Sequence, residues 1–232
     1  MAKFSQGDRT AILDADESHH AAKVFRHRVG DILRVGNGFG LTTIARILEI
    51  STQQTSLEFI EPVVLAAQPR VHLAIACLKD NDLEEVMETC GQLPLASMTL
   101  LRTDHSQEPR ESDLGRTVRR LELKSMVAFK QALKPWLTSV HGPQSFSSWL
   151  AGCNHDLILC DIEGQAQLET EILQSARPLT LLVGPEGGFS VAEVLAIKQR
   201  GASLLSLGTT RLRAKTCPIV AMGALLGMKC QA

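Results

Sequence analysis

The chain has 232 residues, 44% of them hydrophobic, and a formal net charge of −1. That length suffices for one large or two small domains whose core needs no disulfides, and the near-neutral charge argues neither for nor against a nucleic-acid partner. No run reaches the roughly 18 apolar residues of a membrane span, no basic-then-apolar start directs export, and the six cysteines form no C-x-x-C pair, so a cytoplasmic protein with reduced thiols is expected. Residues 1–68 read as β-rich. Asp31–Val35 alternates, Gly36-Asn37-Gly38 signals a turn, and Thr42–Ile50 and Ser56–Ile60 follow as strands, after a short helix over Ser18–Phe25. Two prolines at 62 and 69 bracket the expected boundary. From residue 71 strands and helices alternate. Val71–Cys77, Ser97–Leu101, Leu157–Cys160, Leu179–Val183 and Ser203–Leu207 are the strands. Leu83, Val86, Met87 and Cys90 mark one face of a helix, further helices are expected near 113–133, 165–175 and 190–200, and a last one begins around Pro218. Repeated βα units predict an α/β domain with a largely parallel sheet.

Two glycine-containing segments near the C-terminus carry the chemical information. In Leu181-Leu182-Val183-Gly184-Pro185-Glu186-Gly187-Gly188-Phe189, an apolar strand ends abruptly in a Gly/Pro loop. Leu205-Ser206-Leu207-Gly208-Thr209-Thr210-Arg211-Leu212-Arg213 repeats the arrangement one βα unit later. Glycine admits positive φ and lets a ligand approach the backbone, and loops at the carboxyl ends of neighbouring strands are where open α/β sheets bind ligands. Ser190 and Glu193 have capping-box spacing, so a helix begins just after the first loop. Neither loop has the spacing of a P-loop or of a dinucleotide fingerprint. The plain alternative for the first is a tight turn in which Pro185 fixes φ and a following glycine takes the left-handed position.

Together the segments resemble the two cofactor-loop motifs of the RsmE-like family, the 16S ribosomal RNA uracil-N3 methyltransferases of the SPOUT class, written G-P-E-G-G-F-S/T-x-x-E and L-G-x-R-I-L-R-x-E-T-A. The first motif is complete through Glu193. The second keeps Leu207, Gly208, Leu212, Arg213 and Thr216, with Arg211 at or beside the place of its first arginine. The resemblance extends over nearly the whole chain. His20 to Val24-Phe25-Arg26 and Gly30-Asp31 is similar to the family's H-x-x-x-V-L-R…G-D, and Asn37-Gly38-Phe39-Gly40 to its D-G-x-G.

The resemblance implies a PUA-like, barrel-like RNA-binding domain over 1–68 and a SPOUT methyltransferase domain with a C-terminal trefoil knot over 69–232. It implies S-adenosylmethionine as methyl donor, one uracil N3 of 16S ribosomal RNA in the small subunit as acceptor, and a homodimer, with α-helical apolar residues Ile219, Val220, Met222, Leu225 and Leu226 as its expected face. Val183, Gly184, Pro185, Glu186, Gly187, Gly188, Leu207, Gly208, Leu212 and Thr216 are the implied cofactor residues. Arg213 and Gln131 are the implied catalytic residues, and His20, Arg26 and Arg211 the implied RNA contacts. No metal is implied. Arg116, Arg119, Arg120 and Lys124 form a second basic cluster, suited either to phosphates or to a solvated helix face. With no Tyr and 4% aromatics, base recognition by many stacking platforms is not expected.

Several positions depart from the family pattern. Lys215 replaces a glutamate, which reverses charge near a cationic cofactor, and Cys217-Pro218 replaces small residues. Lys130-Gln131-Ala132-Leu133-Lys134 keeps the glutamine of E-Q-S-x-R but not its acid or arginine. Lys79-Asp80-Asn81-Asp82 stands for K-G-D-R/K. These changes motivate an alternative, a catalytically silent RNA-binding paralogue. A Rossmann-type nucleotide enzyme is a third reading, disfavoured by the missing glycine fingerprint.

Overall fold

A computed structural model describes residues 2–107, 114–165 and 170–230. The chain separates into two units, Met1–Gln68 with Phe129–Leu137, and Pro69–Ala128 with Thr138–Ala232. The stretch 129–137 therefore groups with the N-terminal unit, where the sequence reading placed a single break after residue 68.

The first unit is an antiparallel sheet of β1 (Thr10–Leu13), β2 (Ile32–Gly36), β3 (Leu41–Ile50), β4 (Thr55–Phe59) and β5 (Val64–Leu65). Its order is β1-β4-β3-β2, with β5 also on β3. β1 and β2 are its edges, and among the described residues the ladder does not close into a barrel. Strand alternation puts Ala45 and Ile47 of β3 inward with Leu57, Val35, Leu13 and Phe4. The expected turn is built by Asn37, whose Oδ1 accepts from the Phe39 and Leu41 amides at 2.8 and 3.1 Å. Gly40 lies against Trp136, and an added Cβ would stand 2.4 Å from the indole. Trp136 Nε1 donates to Ala66 O at 3.1 Å. The helix expected over Ser18–Phe25 starts earlier, as α1 (Ala15–His19) capped by Asp14, and continues as one π-helical turn over His20–Val24.

The second unit holds a six-stranded sheet of β6 (Val71–Ala76), β7 (Leu95–Arg102), β8 (Ser139–Ser145), β9 (Asp156–Gln165), β10 (Leu179–Val183) and β11 (Ser203–Leu205). All its pairs are parallel, in the order β11-β9-β10-β6-β7-β8. Its helices are α2 (Asp80–Cys90), α3 (Leu114–Gln131, its last residues in the first unit), α4 (Phe146–Gly152), α5 (Thr170–Gln174), α6 (Val191–Gln199) and α7 (Cys217–Cys230). Leu83, Met87, Leu121, Met222 and Leu225 from α2, α3 and α7 close one face over Leu73, Ile75 and Leu181. Phe146, Leu150 and Ile197 from α4 and α6 close the other over Ala74, Leu159 and Leu182. Each large side chain so buried contributes roughly 1.5–3 kcal/mol, which fixes the sheet as a platform.

Three elements differ from expectation. β8 and α4 were not anticipated, because Ser139-Val140-His141-Gly142-Pro143-Gln144-Ser145 is too polar to read as a strand. It serves as an edge, where proline is tolerated. β9 runs past Cys160 to Gln165, into the start of the helix expected over 165–175, and residues 166–169 of that helix lie outside the described residues. The basic cluster on α3 is partly structural, since Arg120 and Lys124 pair with Glu84 and Lys124 also with Glu88, all on α2. No helix among the described residues is long and apolar enough to cross a membrane.

Candidate active site

Because the sheet is all parallel, the loops after β6, β7, β10 and β11 leave its same edge. The two glycine segments are loops after β10 and β11, but these strands are not neighbours as expected: β9 lies between them. Chain order along a parallel sheet is not encoded in apolar periodicity, so the insertion was not legible. β9 approaches β11 through Gly164. A Cβ there would stand 2.7 Å from Leu205 C and from Ser206 N, both backbone atoms at the root of the second loop.

The first loop (184–190) is fastened from several sides. Gly188 N donates to Pro185 O at 2.8 Å, closing a turn in which Pro185 is the first residue rather than the second, and Gly188 takes φ +75°. The capping box is present. Ser190 Oγ accepts from Glu193 N at 3.3 Å, and Glu193 Oε2 accepts from Ser190 N at 2.8 Å. The buried Glu193 also accepts the Asp104 amide on Oε1 at 3.0 Å, tying the loop after β7 to the start of α6. His105 completes the attachment, with Nδ1 3.1 Å from Gly188 O.

Those contacts divide the glycines by role. A Cβ on Gly184 would meet Phe189 at 3.1 Å, so its smallness serves the turn itself. At Gly187 it would meet His105 Cβ at 3.2 Å, so the missing side chain there also lets His105 pack against the loop. At Gly188 and at Gly208 (φ +124°) it would meet nothing within 4 Å. Open backbone in left-handed conformation is thus found once in each loop.

The second loop (206–216) is held at its ends. Ser206 Oγ donates to Gly208 O at 3.2 Å, and Arg213 O accepts from Thr216 N and Cys217 N at 2.9 and 3.0 Å, leading into α7. Leu207 and Leu212 are half-buried, while Arg211 and Arg213 are exposed and have no carboxylate partner among the described residues. Lys215 is engaged with α2, its ammonium 3.0 Å from Asp82 Oδ1 and 2.7 Å from Glu85 Oε2. The hydrogen bonds to Glu85 and then Asp82 push its pKa up. The charge reversal at 215 is therefore met by an acid at 82, itself a departure from the family's basic residue, so the Lys215 ammonium is paired.

The remaining implied residues belong to the first unit. Gln131 is the exposed last residue of α3, and His20 and Arg26 are exposed after α1. Lys130 forms an ion pair with Glu17 of α1, and Lys134 is buried, which pulls its pKa down to about 8. Those two departures thus have structural uses within their own unit. His105 is the residue sequence reasoning missed, for it belongs to no motif, and only the fold sets it on the glycine loop.

An all-parallel α/β sheet with two glycine loops at its carboxyl edge, in a chain that also holds a small antiparallel β unit, defines a two-unit α/β protein of the class whose ligands bind at that edge. Residues 66–226 match the RNA methyltransferase domain family, and residues 13–60 match the RNA methyltransferase PUA domain. The chain belongs to this RNA methyltransferase family. Among its relatives, a Synechocystis protein named ribosomal RNA small subunit methyltransferase E is 28% identical, over 94% of this chain and 73% of the relative. A Rickettsia conorii protein of the same name is 25% identical, over 99% of this chain and 95% of its own length. The fold is shared with the ribosomal RNA small subunit methyltransferase E of Neisseria gonorrhoeae, solved bound to S-adenosylmethionine (TM-score 0.82, 18% identity, 97% and 94% of the two chains). It is also shared with a Legionella pneumophila methyltransferase solved with the same cofactor (TM-score 0.80, 23% identity, 97% and 95%).

Proposed function

We propose that this protein methylates N3 of one uridine in small-subunit ribosomal RNA, using S-adenosylmethionine. The observation that carries the reading is the pair of open left-handed glycines, Gly188 and Gly208, one in each loop at the sheet's carboxyl edge. A flat adenosine placed against backbone needs such a cradle, which side chains would fill. The residues present fit the cofactor: Val183 through Gly188 form one wall, Leu207, Gly208, Leu212 and Thr216 the other. Bound there, S-adenosylmethionine supplies an electrophilic methyl group on its sulfonium.

The chain's own work is orientation and charge. The loop after β10, fixed by Glu193 and His105, gives one wall that needs no reorganisation. The Arg213 guanidinium provides donors for the negative charge that develops as the uracil N3 gives up its proton. Gln131, carried by the first unit, keeps the catalytic role that the family resemblance implies. Arg211, His20 and Arg26 serve the RNA backbone. In this reading 1–68 with 129–137 is the PUA-like RNA-binding domain, and the rest is a SPOUT domain whose C-terminal segment forms a trefoil knot. A homodimer would use the outer side of α7, where Val220, Gly223 and Gly227 are exposed, since Met222 and Leu225 of the expected stripe pack inside the chain's own core.

Titration calorimetry with S-adenosylmethionine and with NAD, together with ribosomal RNA modification mapping in a deletion strain, tests the proposal. Binding of the first ligand alone and loss of one N3-methyluridine on deletion are expected. Arg213→Ala should lower the methylation rate roughly 100-fold, by analogy with removing one oxyanion donor, while leaving the fold intact. Cofactor binding without any lost modification would move the assignment to the silent paralogue, and light scattering on the full chain decides the dimer.

A further inference from the structure

The segment that follows α1 in the first unit presents an unusual side chain to solvent. Phe25 is 69% exposed, flanked by exposed Val24 and Val29. Lys23, Arg26 and Arg28 are also exposed, and His19 and His20 precede them. Lys23 and Arg26 have no carboxylate partner among the described residues.

The turn that carries the ring is built, not loose. Asp31 Oδ2 accepts the Arg28 amide at 2.9 Å and lies 3.2 Å from His27 Nδ1. The Arg28 amide and then His27 hold the Asp31 carboxyl below its ordinary pKa. The His27 amide donates back to Ala21 O at 2.9 Å, and Gly30 N and Asp31 O bond both groups of Ile47 in β3. The Phe25 ring lies 5.9 Å from the His27 ring between centroids, tilted by 35°, and most of it remains exposed. Arg26 adopts φ +56°. That conformation strains a side-chain-bearing residue, and a glycine would adopt it freely. An arginine kept there is strain retained for its guanidinium.

An exposed aromatic ring alone is as well suited to a protein contact as to a base. The surrounding charge decides the occupant: cations at 23, 26 and 28 on one short segment complement a polyanion. An arginine next to an aromatic ring matches successive phosphate and base of an unpaired strand, since bases inside an A-form helix present no face for stacking. We infer that Phe25 is a stacking platform for one unpaired RNA base, with Arg26 and Lys23 on the adjoining phosphates. This rests on the ribosomal-RNA reading above, and narrows its substrate at the first unit to a single-stranded or extruded nucleotide. A few aromatics suffice for such a site, so the low aromatic content of the chain does not exclude base stacking.

Fluorescence anisotropy of the full chain with a labelled single-stranded RNA of about 12 nucleotides, and with the fully paired duplex, tests the inference. Wild type should prefer the single strand. Phe25→Ala should weaken that binding roughly 10-fold and Phe25→Trp should retain it, with duplex binding little changed in both. Arg26→Gly should lower affinity and reduce the slope of log K against log salt by about one, while the melting temperature stays equal or rises because the strain is gone. Calorimetry with S-adenosylmethionine on the Phe25→Ala protein should match wild type. If Phe25→Ala binds the single strand as wild type does, the stacking site is refuted and the ribosomal-RNA reading stands. If wild type binds neither RNA, both fall. If Phe25→Ala changes self-association and not RNA affinity, the patch is a protein contact and the inference is overturned.

Discussion

The two glycine loops leave the same sheet edge but are held in opposite ways. The loop after β10 is fastened along its length, by its own turn, by Glu193 to the backbone of Asp104, and by His105 to Gly188. The loop after β11 is anchored at its root by the close passage of Gly164 and at its far end by Lys215, and the residues between, 208–211, are exposed. A preformed wall binds without ordering cost, whereas an exposed loop can adjust to what is placed against it. On the proposed reading the first loop is a preformed wall for the cofactor, and the second is an adjustable wall whose Arg211 and Arg213 remain available to the RNA.

Breaking the root of the second loop should give the largest effect. Gly164→Ala places a methyl group 2.7 Å from backbone that cannot swing aside. A loss of about 3 kcal/mol is expected in denaturant titration, with cofactor binding lost as the β9–β11 seam opens. Glu193→Ala comes next. It leaves two amides near the first loop without their acceptor. About 2 kcal/mol should be lost, with weaker cofactor binding and unchanged RNA affinity by anisotropy.

The amino end of the same sheet carries neither loop and provides a control. There His72 Nδ1 lies 2.7 Å from Ser97 Oγ, and His155 Nδ1 lies 2.8 Å from Thr180 Oγ1, with the two rings 4.5 Å apart. Burial, then the neighbouring His155, pulls the His72 pKa down to about 4. The unfolded chain takes up a proton near pH 6.5 that the folded chain refuses, so this stability is complete above about pH 6.5 and is lost as pH falls toward 4. The loss should reach only about 1 kcal/mol, because the ring is only partly buried and water screens it. Thermal melts across that range should show the slope in wild type and much less of it in His72→Asn. The smallest effect is expected from Lys215→Glu. The sequence alone suggested that this change restores a favourable charge beside the cofactor, but it would set a carboxylate against Asp82 and Glu85. A small fall in melting temperature is expected, recovered when Asp82→Lys is added.

What could be read in advance were features set by near neighbours in sequence. Ser190 and Glu193 cap a helix within one turn, Asn37 folds its own hairpin, and apolar runs such as 179–183 declare buried strands. Features that depend on which strand lies beside which were not legible. β9 between the two loop strands, Gly164 against Leu205, His105 on Gly188 and Lys215 on Asp82 join residues that periodicity cannot relate. β8 was hidden for another reason, since an edge strand bears few apolar residues, and α4 because its 7 residues are too short to show a helical period.

The return of residues 129–137 to the N-terminal unit has a consequence for how the molecule can be divided. The Trp136 indole bonds Ala66 and lies against Gly40, while Gly40 N and Leu137 N bond Pro135 O and Gly38 O. That unit is written in two pieces of sequence separated by 60 residues of the other. A cut after residue 68 would release a fragment without its tryptophan and leave that tryptophan stranded in the remainder. Exchange of the first unit between relatives in the laboratory must therefore carry both pieces together.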